Sequence, residues 1–474
     1  MKPMAWMTAG ALIALATAAN AQTAEPPKTV RPDQLAFRDL YKELVEINTT
    51  LSVGSCTAAS EAMGARLKAA GFPEADVRVV VEPKHPREGN LVAVLRGTDA
   101  TTKPMLLLAH IDVVEAKRED WTRDPFKLVE ENGYFYGRGT SDDKAQAAIW
   151  VDSLIRLKQA GFKPKRDIKM ALTCGEESEG YNGIEDLLKN HRPLVDAEFA
   201  LNEGASGLLD EQGKAVMLEV QAGEKVYQDF TLTVTNPGGH SSRPVSPNAI
   251  YQLSAALDRI GAYQFPPRFN DATRGYFTQM QARVTPEQAA AMKTLVADVN
   301  DPAALALITK DRTWNSMLRT TCVATMVSAG HAPNALPQRA TANINCRILP
   351  GTPIDEVKAK LTELAADPAV AVTLAHSSKP ASPPPPLTPA IMAPIQKNAA
   401  KLWPGVPILP VMSTGATDAV HTSAAGIPTY GVTGLFHGPE GTGAHGLNER
   451  MRVKSLYEGR DFLHGLIQDY AGGK

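Results

Sequence analysis

The sequence predicts an α/β protein: a sheet domain with helices on both faces, interrupted by a smaller inserted α/β unit. Three observations carry this expectation. Over residues 33–221 short apolar runs alternate with stretches of helical periodicity, the pattern of a sheet covered on both sides. From residue 229 the strands alternate apolar and polar residues, which fits a sheet with one buried face. After the prolines at 383–386 the first style returns. A chain of 474 residues is also too long for one ordinary core.

The N-terminus reads as a targeting segment. Lys2 precedes the apolar run Ala9–Ala16, and Ala19-Asn20-Ala21 forms a small-x-small cleavage site. A signal peptide over 1–21 and a disordered leader over 22–32, with Pro26, Pro27 and Pro32, are expected, and with them a periplasmic or secreted protein. No second run of spanning length follows, so no membrane partner is expected. Charge is balanced, 49 basic against 51 acidic residues, which argues against a nucleic-acid partner. The cysteines, Cys56, Cys174, Cys322 and Cys346, form no C-x-x-C pattern, so a cysteine zinc site is not expected. Cys322 and Cys346 fall on strands joined by a turn and could meet; two free buried thiols fit as well.

The first part of the sheet domain, 33–221, opens with helices over 33–50 and 57–71 and strands over 90–95 and 104–110. The second strand is apolar from Met105 to Ala109 and ends in His110, with Asp112 two residues on. A surface histidine at a strand end explains that stretch alone equally well. The Gly-rich turn 137–143 then feeds a helix over 144–160. Asp142 and Asp143 at its start could be simple capping acids. A strand over 167–174 runs into Gly175-Glu176-Glu177, and one over 199–201 runs into Asn202-Glu203. Three strands thus deliver catalytic-type residues to one sheet edge, where open α/β sheets place their chemistry.

The inserted unit, 222–380, begins with a strand over 229–236, a loop Pro237-Gly238-Gly239-His240, and a helix opened by Ser246 and Pro247 with Ile250, Leu253, Leu257 and Ile260 inward. A mainly helical stretch to about 318, two strands (321–328 and 339–349), a helix over 354–366 and a strand over 370–374 complete a β-α-β-β-α-β order, the ferredoxin-like motif. Residues 381–389 read as a stiff proline-rich linker. Residues 390–474 return to the sheet domain and end in a helix over 453–470.

His110, Asp142, Glu177, Glu203 and a histidine near the C-terminus are oxygen and nitrogen donors without thiolate, a set suited to zinc in an open catalytic site. A carboxylate can bridge two metals, and Glu176 beside Glu177 is a spare acid able to take a proton. H-E-x-x-H, G-x-S-x-G and P-loop patterns are absent.

With these residues in view, the chain resembles, over nearly its whole mature length, the di-zinc amidohydrolase family that includes glutamate carboxypeptidase, aminoacylase, carnosinase, acetylornithine deacetylase and succinyl-diaminopimelate desuccinylase. The matching motifs are His110-x-Asp112, Gly137-x-Gly139-x-x-Asp142-Asp143-Lys144, Gly175-Glu176-Glu177, Asn202-Glu203-Gly204 and His445-Gly-Leu-Asn448-Glu449. The resemblance implies two Zn2+ per subunit, bridged by Asp142, with His110 and Glu203 on one and Glu177 and His445 on the other. Asp112 would orient His110, and Glu176 would be general base, then acid toward the leaving amine. Asp143 would cap the helix or be solvated, Lys144 would be structural, and His437 would be a loop or pocket residue. His240, bland on sequence alone, matches an oxyanion-stabilising histidine, often supplied across a dimer joined through the insert, so a homodimer is expected. Arg347, on a polar face with Asn343 and Asn345, could grip a carboxylate in two parallel hydrogen bonds; a solvated surface arginine is the plainer alternative. Asn334 matches a family position that helps hold the same group. Thr417-Asp418-Ala419-Val420-His421 lacks the arginine that relatives such as aminoacylase carry there, which puts the preferred acyl or side-chain group in doubt.

The expected function is release of an amino acid with a free carboxylate from a small peptide. An N-acyl amino acid amidohydrolase is the alternative, and a non-catalytic metal- or peptide-binding module on the same fold is a second. Glu176 separates the last from the others, since a binding module needs no base beside its ligands. A related di-zinc aminopeptidase would share the ligand set, but the insert with Gly-Gly-His-Ser-Ser argues against it.

Overall fold

The computed structural model describes residues 31–178, 180–378, 380 and 382–473. The expected signal peptide, and all but the last two residues of the expected leader, lie outside them. Arg31 and Pro32 are not leader: Pro32 opens the first helix, Pro32–Glu46, and Arg31 caps it. Proline is tolerated there because a first-turn N–H has no helical partner to lose. No helix among the described residues is long and apolar enough to cross a membrane.

The large sheet has ten strands. At its centre Met105–His110 pairs in parallel with Ile168–Thr173 on one side and Phe199–Asn202 on the other. Their carboxyl ends therefore emerge at one edge. The first two are buried throughout because both faces are covered. Leu107 and Ala109 face one core with helices Cys56–Ala69, Lys144–Gln159 and Val453–Ala471; Leu106 and Leu108 face another under Gly183–Asn190. The sheet is mixed rather than parallel. Asn90–Leu95 pairs antiparallel with Ile168–Thr173, and Ala215–Glu224 is antiparallel to Gly207–Leu209. Gly207–Leu209 and Ala215–Glu224 are strands the sequence does not announce: the first is three residues long, and the second carries the polar Glu219, Gln221 and Glu224.

The second sheet is antiparallel, in the order Thr321–Ala329, Arg339–Ile348, Val226–Thr235, Ala371–Ser378. Helices Ala249–Ala262 and Ile354–Ala365 pack on it around a separate core of Phe230, Leu232, Ile344 and Leu361. The first helix starts later than expected, capped by the Asn248 side chain rather than Ser246. Its buried face is accordingly Ala249, Leu253, Ala256 and Ile260, while Ile250 is exposed. The stretch before residue 318 forms four helices, beginning with Asp271–Met280, around a core of Phe277, Met292 and Leu295. It leans on the large sheet: Ala272 joins that core and the Asn270 amide reaches Met412.

All four cysteines are paired. Cys322 and Cys346 sit opposite each other in antiparallel register with Cα atoms 4.1 Å apart, so they are bonded rather than free thiols. Cys56 bonds Cys174, tying a helix start to the strand end before Gly175.

Candidate metal centre

Strand Met105–His110 delivers His110 with its side chain almost fully buried. The ring Nδ1 lies 3.1 Å from the Asp112 carbonyl and 3.6 Å from its carboxylate, so Nε2 is directed into the site. There it lies 3.1 Å from Asp142 Oδ1 and 3.6 Å from Glu203 Oε1. The other Asp142 oxygen, Oδ2, lies 3.1 Å from His445 Nε2, which is itself 2.8 Å from Glu177 Oε1. One carboxylate thus stands between two imidazoles, each beside a further glutamate. Donor atoms of His110, Asp142 and Glu177 fall within 4.8 Å of one another.

Two buried carboxylates hold this arrangement. Asp112 accepts the backbone N–H of Glu177 at 3.0 Å and of Glu176 at 3.4 Å, fixing the loop that carries both acids. Gly175 makes that loop possible: its φ is +94°, and a Cβ there would stand 2.2 Å from the Tyr181 carbonyl oxygen. Glu449 accepts the N–H groups of Gly139, Ser141 and Asp142 at 2.8–3.0 Å and pairs with buried Arg138 at 2.8 Å. The Gly-rich turn is therefore wrapped around a carboxylate, which is why it presents Asp142 in one orientation. Further back, Asp418 accepts from Thr173 and Asn182, and Glu224 accepts from Thr417.

Asp143 departs from expectation. It occupies the helix N-cap position, but its side chain makes no cap bond and it is 2 % exposed. Burial pushes its carboxyl well above the usual range, reinforced by Asp142, Glu176 and Asp418 but opposed by His110. Lys144 is buried, donates to the Ile47 carbonyl, and is pushed down to about 7 by that burial. His437 bridges Ser206 and the Gly438 carbonyl.

The electrostatics fit a cation. Burial raises Glu177 and Glu203. It also opposes charging of His110, yet Glu203, Asp112 and Asp142 together hold that imidazole well above its ordinary value. Asp142 and Glu177 push His445 up to about 9. Acids this close repel unless positive charge lies among them, and the donor set is the oxygen and nitrogen set of catalytic zinc.

The insert residues stand apart. His240 lies on a short ribbon, Gly239–His240 paired with Ala335–Leu336, is exposed, and accepts from the Ser242 backbone and lies 2.8 Å from its hydroxyl. The Asn334 carbonyl accepts from Ser241 in the same loop. Arg347 stacks over Tyr227 at 4.6 Å. Among the described residues no hydrogen bond or ion pair joins these three to the cluster around Asp142. Sequence reasoning missed Arg138, Asp418, the role of Glu449 and the Cys56–Cys174 bond. Glu449 and Asp418 were visible as acids in Gly-rich segments; nothing local marked the bond.

Imidazoles and acids gathered about one central carboxylate, with Glu176 on the adjoining loop, fit the site of a metal-dependent hydrolase. The chain belongs to peptidase family M20/M25/M40, whose model matches residues 106–469. It is 30% identical over 385 residues to the N-fatty-acyl-amino acid synthase/hydrolase PM20D1 of Xenopus tropicalis, covering 79% of this chain and 74% of that protein. It is 28% identical over 389 residues to probable carboxypeptidase S-like 2 of Dictyostelium discoideum, covering 80% and 74%. In fold it resembles the metallo-carboxypeptidase Sso-CP2 of Sulfolobus solfataricus, with TM-score 0.64, 19% identity, and 92% and 99% of the two chains covered. Human carnosine dipeptidase 1 is also similar, with TM-score 0.59, 15% identity and coverage of 92% and 96%.

Proposed function

We propose that the protein hydrolyses an amide whose amine half is an amino acid with a free carboxylate: the C-terminal residue of a small peptide or an N-acyl amino acid. The observation that carries this reading is Asp142 standing between His110 and His445 with Glu176 on the adjoining loop. His110, Asp142, Glu177, Glu203 and His445 would hold two zinc ions, which when bound supply Lewis-acid polarisation of the scissile carbonyl. Glu176 takes the proton of the attacking water and returns it to the leaving nitrogen, splitting the C–N bond into acid and amine. Asp112 holds the loop that carries Glu176. His240 stabilises the oxyanion from the inserted domain, which serves as lid and as dimer contact. Arg347 and Asn334 take the carboxylate. Lys225 is buried and donates to the Ser316 and Thr321 hydroxyls, and burial, with Arg347 nearby, pushes its ammonium down to about 7. Export to the periplasm or outside the cell fits the N-terminal segment.

The relatives' names favour N-acyl amino acids as the second form of the same substrate: PM20D1 is named an N-fatty-acyl-amino acid synthase/hydrolase. A matched pair tests the reading. The free acid should be cleaved at least roughly tenfold faster in kcat/KM than its C-terminal amide, because amidation leaves a cationic side chain without its partner. Equal values would make Arg347 structural.

A further inference from the structure

A cavity of about 480 Å³ opens beside the candidate metal centre, with Asp112, Glu177, Cys56 and Cys174 in its wall. The backbone around it is linked into a ring. Val113, next to Asp112, bridges to Thr50; its N–H donates to the Thr49 carbonyl at 3.3 Å, and the Thr49 hydroxyl donates back to the Ile111 carbonyl at 2.6 Å. Arg87 braces the next stretch by donating to the carbonyls of Leu51, Ser52 and Gly54. Ser55 caps helix Cys56–Ala69, whose first residue is bonded to Cys174. Glu176 and Glu177 complete the circuit, because Asp112 accepts their backbone N–H groups.

The disulfide is the covalent closure of that ring, and it sits at the root of its least regular part. Among the described residues no helix or strand forms between Thr173 and Gly183, and Gly175 and Gly180 stand at φ +94° and +108°. This loop carries the candidate base and a candidate ligand. Where it leaves the sheet, the Cys174 N–H donates to the Asn90 side-chain oxygen at 3.0 Å, and the Cys174 carbonyl accepts from Gly183 at 2.7 Å. Those bonds tie the loop root to the neighbouring strand and to the next helix. The disulfide ties it to the Thr50 side of the cavity. A cross-linked loop samples fewer conformations, and a ligand held in place by its surroundings binds metal more tightly. Cys56 and Cys174 are 2 % and 4 % exposed, yet both line a cavity that opens to solvent, so a small reductant reaches their sulfurs from within it.

We propose that the Cys56–Cys174 bond is a redox latch that positions Glu176 and Glu177. Closed, it holds the loop for metal binding and proton transfer; opened, it lets the loop loosen, so that zinc affinity and turnover fall together. In the opening step a dithiol supplies two electrons and two protons: its own sulfurs join, the Cys56–Cys174 bond breaks, and both cysteines become thiols. The proposal rests on the metal-dependent hydrolysis read above and adds that this activity is highest in the oxidised protein. The second disulfide, Cys322–Cys346, joins neighbouring strands of the small sheet and carries no such role.

The test follows zinc affinity, by chelator competition, and kcat at zinc saturation as the protein is reduced in steps. The probe is tris(2-carboxyethyl)phosphine, which takes oxygen from water to become the phosphine oxide and spares the zinc that small dithiols chelate. Alkylation and mass spectrometry report which cysteines have opened. Cys56→Ala/Cys174→Ala is measured beside it, with a melting curve to show that it is folded at the assay temperature. Zinc affinity should fall roughly 10–100-fold and kcat at least roughly tenfold, both in step with the appearance of the Cys56 and Cys174 thiols, and the double variant should match the reduced protein. A bond that only stabilises the fold would lower the melting temperature and leave both readouts of the folded protein unchanged; that result overturns the latch, as does a loss that follows the Cys322 and Cys346 thiols instead. If the oxidised protein cleaves neither N-acyl amino acids nor dipeptides, the hydrolase reading falls, and zinc affinity still decides the latch.

Discussion

The carboxyl edge of the ten-stranded sheet and the Gly-Gly-His loop of the small sheet carry the two halves of the proposed machinery, and they are built in opposite ways. At the sheet edge two of the loops are held from behind: Asp112 and Glu449 together accept five backbone N–H groups from the loops that carry Glu176, Glu177 and Asp142. On the short ribbon Gly239–His240 the histidine is exposed, and among the described residues its Nδ1 faces its neighbour Ser242. In the proposed machinery the groups that hold cations are fixed before anything binds, while the histidine proposed to meet the transition state is not, which suits a group brought in by closure or by a second subunit.

The largest effect expected is at Glu176. Glu176→Gln should keep fold and metal while losing roughly 10²–10⁴ in kcat; near-normal turnover at full metal content would remove Glu176 from the chemistry. His240→Ala should lose roughly 10²–10³ in kcat, as for an oxyanion donor, with metal content unchanged. Mixing it with Glu176→Gln should restore some activity if the histidine acts across a dimer. Lost metal in His240→Ala would erase the contrast between the two regions.

Smaller effects probe the support behind the ligands. Glu449→Gln should weaken metal binding roughly 10–100-fold, as supporting residues do, without touching a candidate ligand; competition with a chelator measures it. An unchanged affinity would mean the turn holds Asp142 unaided. A last change sits outside both regions. Burial, with Arg156 and Arg460, pushes the His464 imidazole down to about 3. The unfolded chain protonates near pH 6.5 while the folded chain stays neutral, so this residue costs stability as pH falls from about 6.5 toward 3. Denaturant midpoints should show His464→Gln losing less stability than the unsubstituted protein between pH 7 and pH 5, by at most about 2 kcal/mol.

What the sequence disclosed follows from range. The strands Met105–His110 and Ile168–Thr173 were readable because burial on both faces leaves a continuous apolar run. So was the β-α-β-β-α-β order of the second sheet. The Arg138–Glu449 pair and the Cys56–Cys174 bond join residues 311 and 118 positions apart, and no local pattern encodes such partners. Asp143 misled because an acid at a helix start ordinarily caps it; here it turns into the buried cluster instead. The first helix of the small sheet misled similarly, since Ser246-Pro247 and Asn248 are both plausible openings and only Asn248 reaches the helical N–H groups.

Asp142 is proposed to link two metal positions. Metal analysis of chelated and zinc-reconstituted protein, beside Asp142→Asn treated identically, tests it most directly. Two zinc ions per chain are expected in the first and at most one in the second, with the fold of both intact. Two zinc ions retained by Asp142→Asn, or only one bound by the unsubstituted protein, would contradict it.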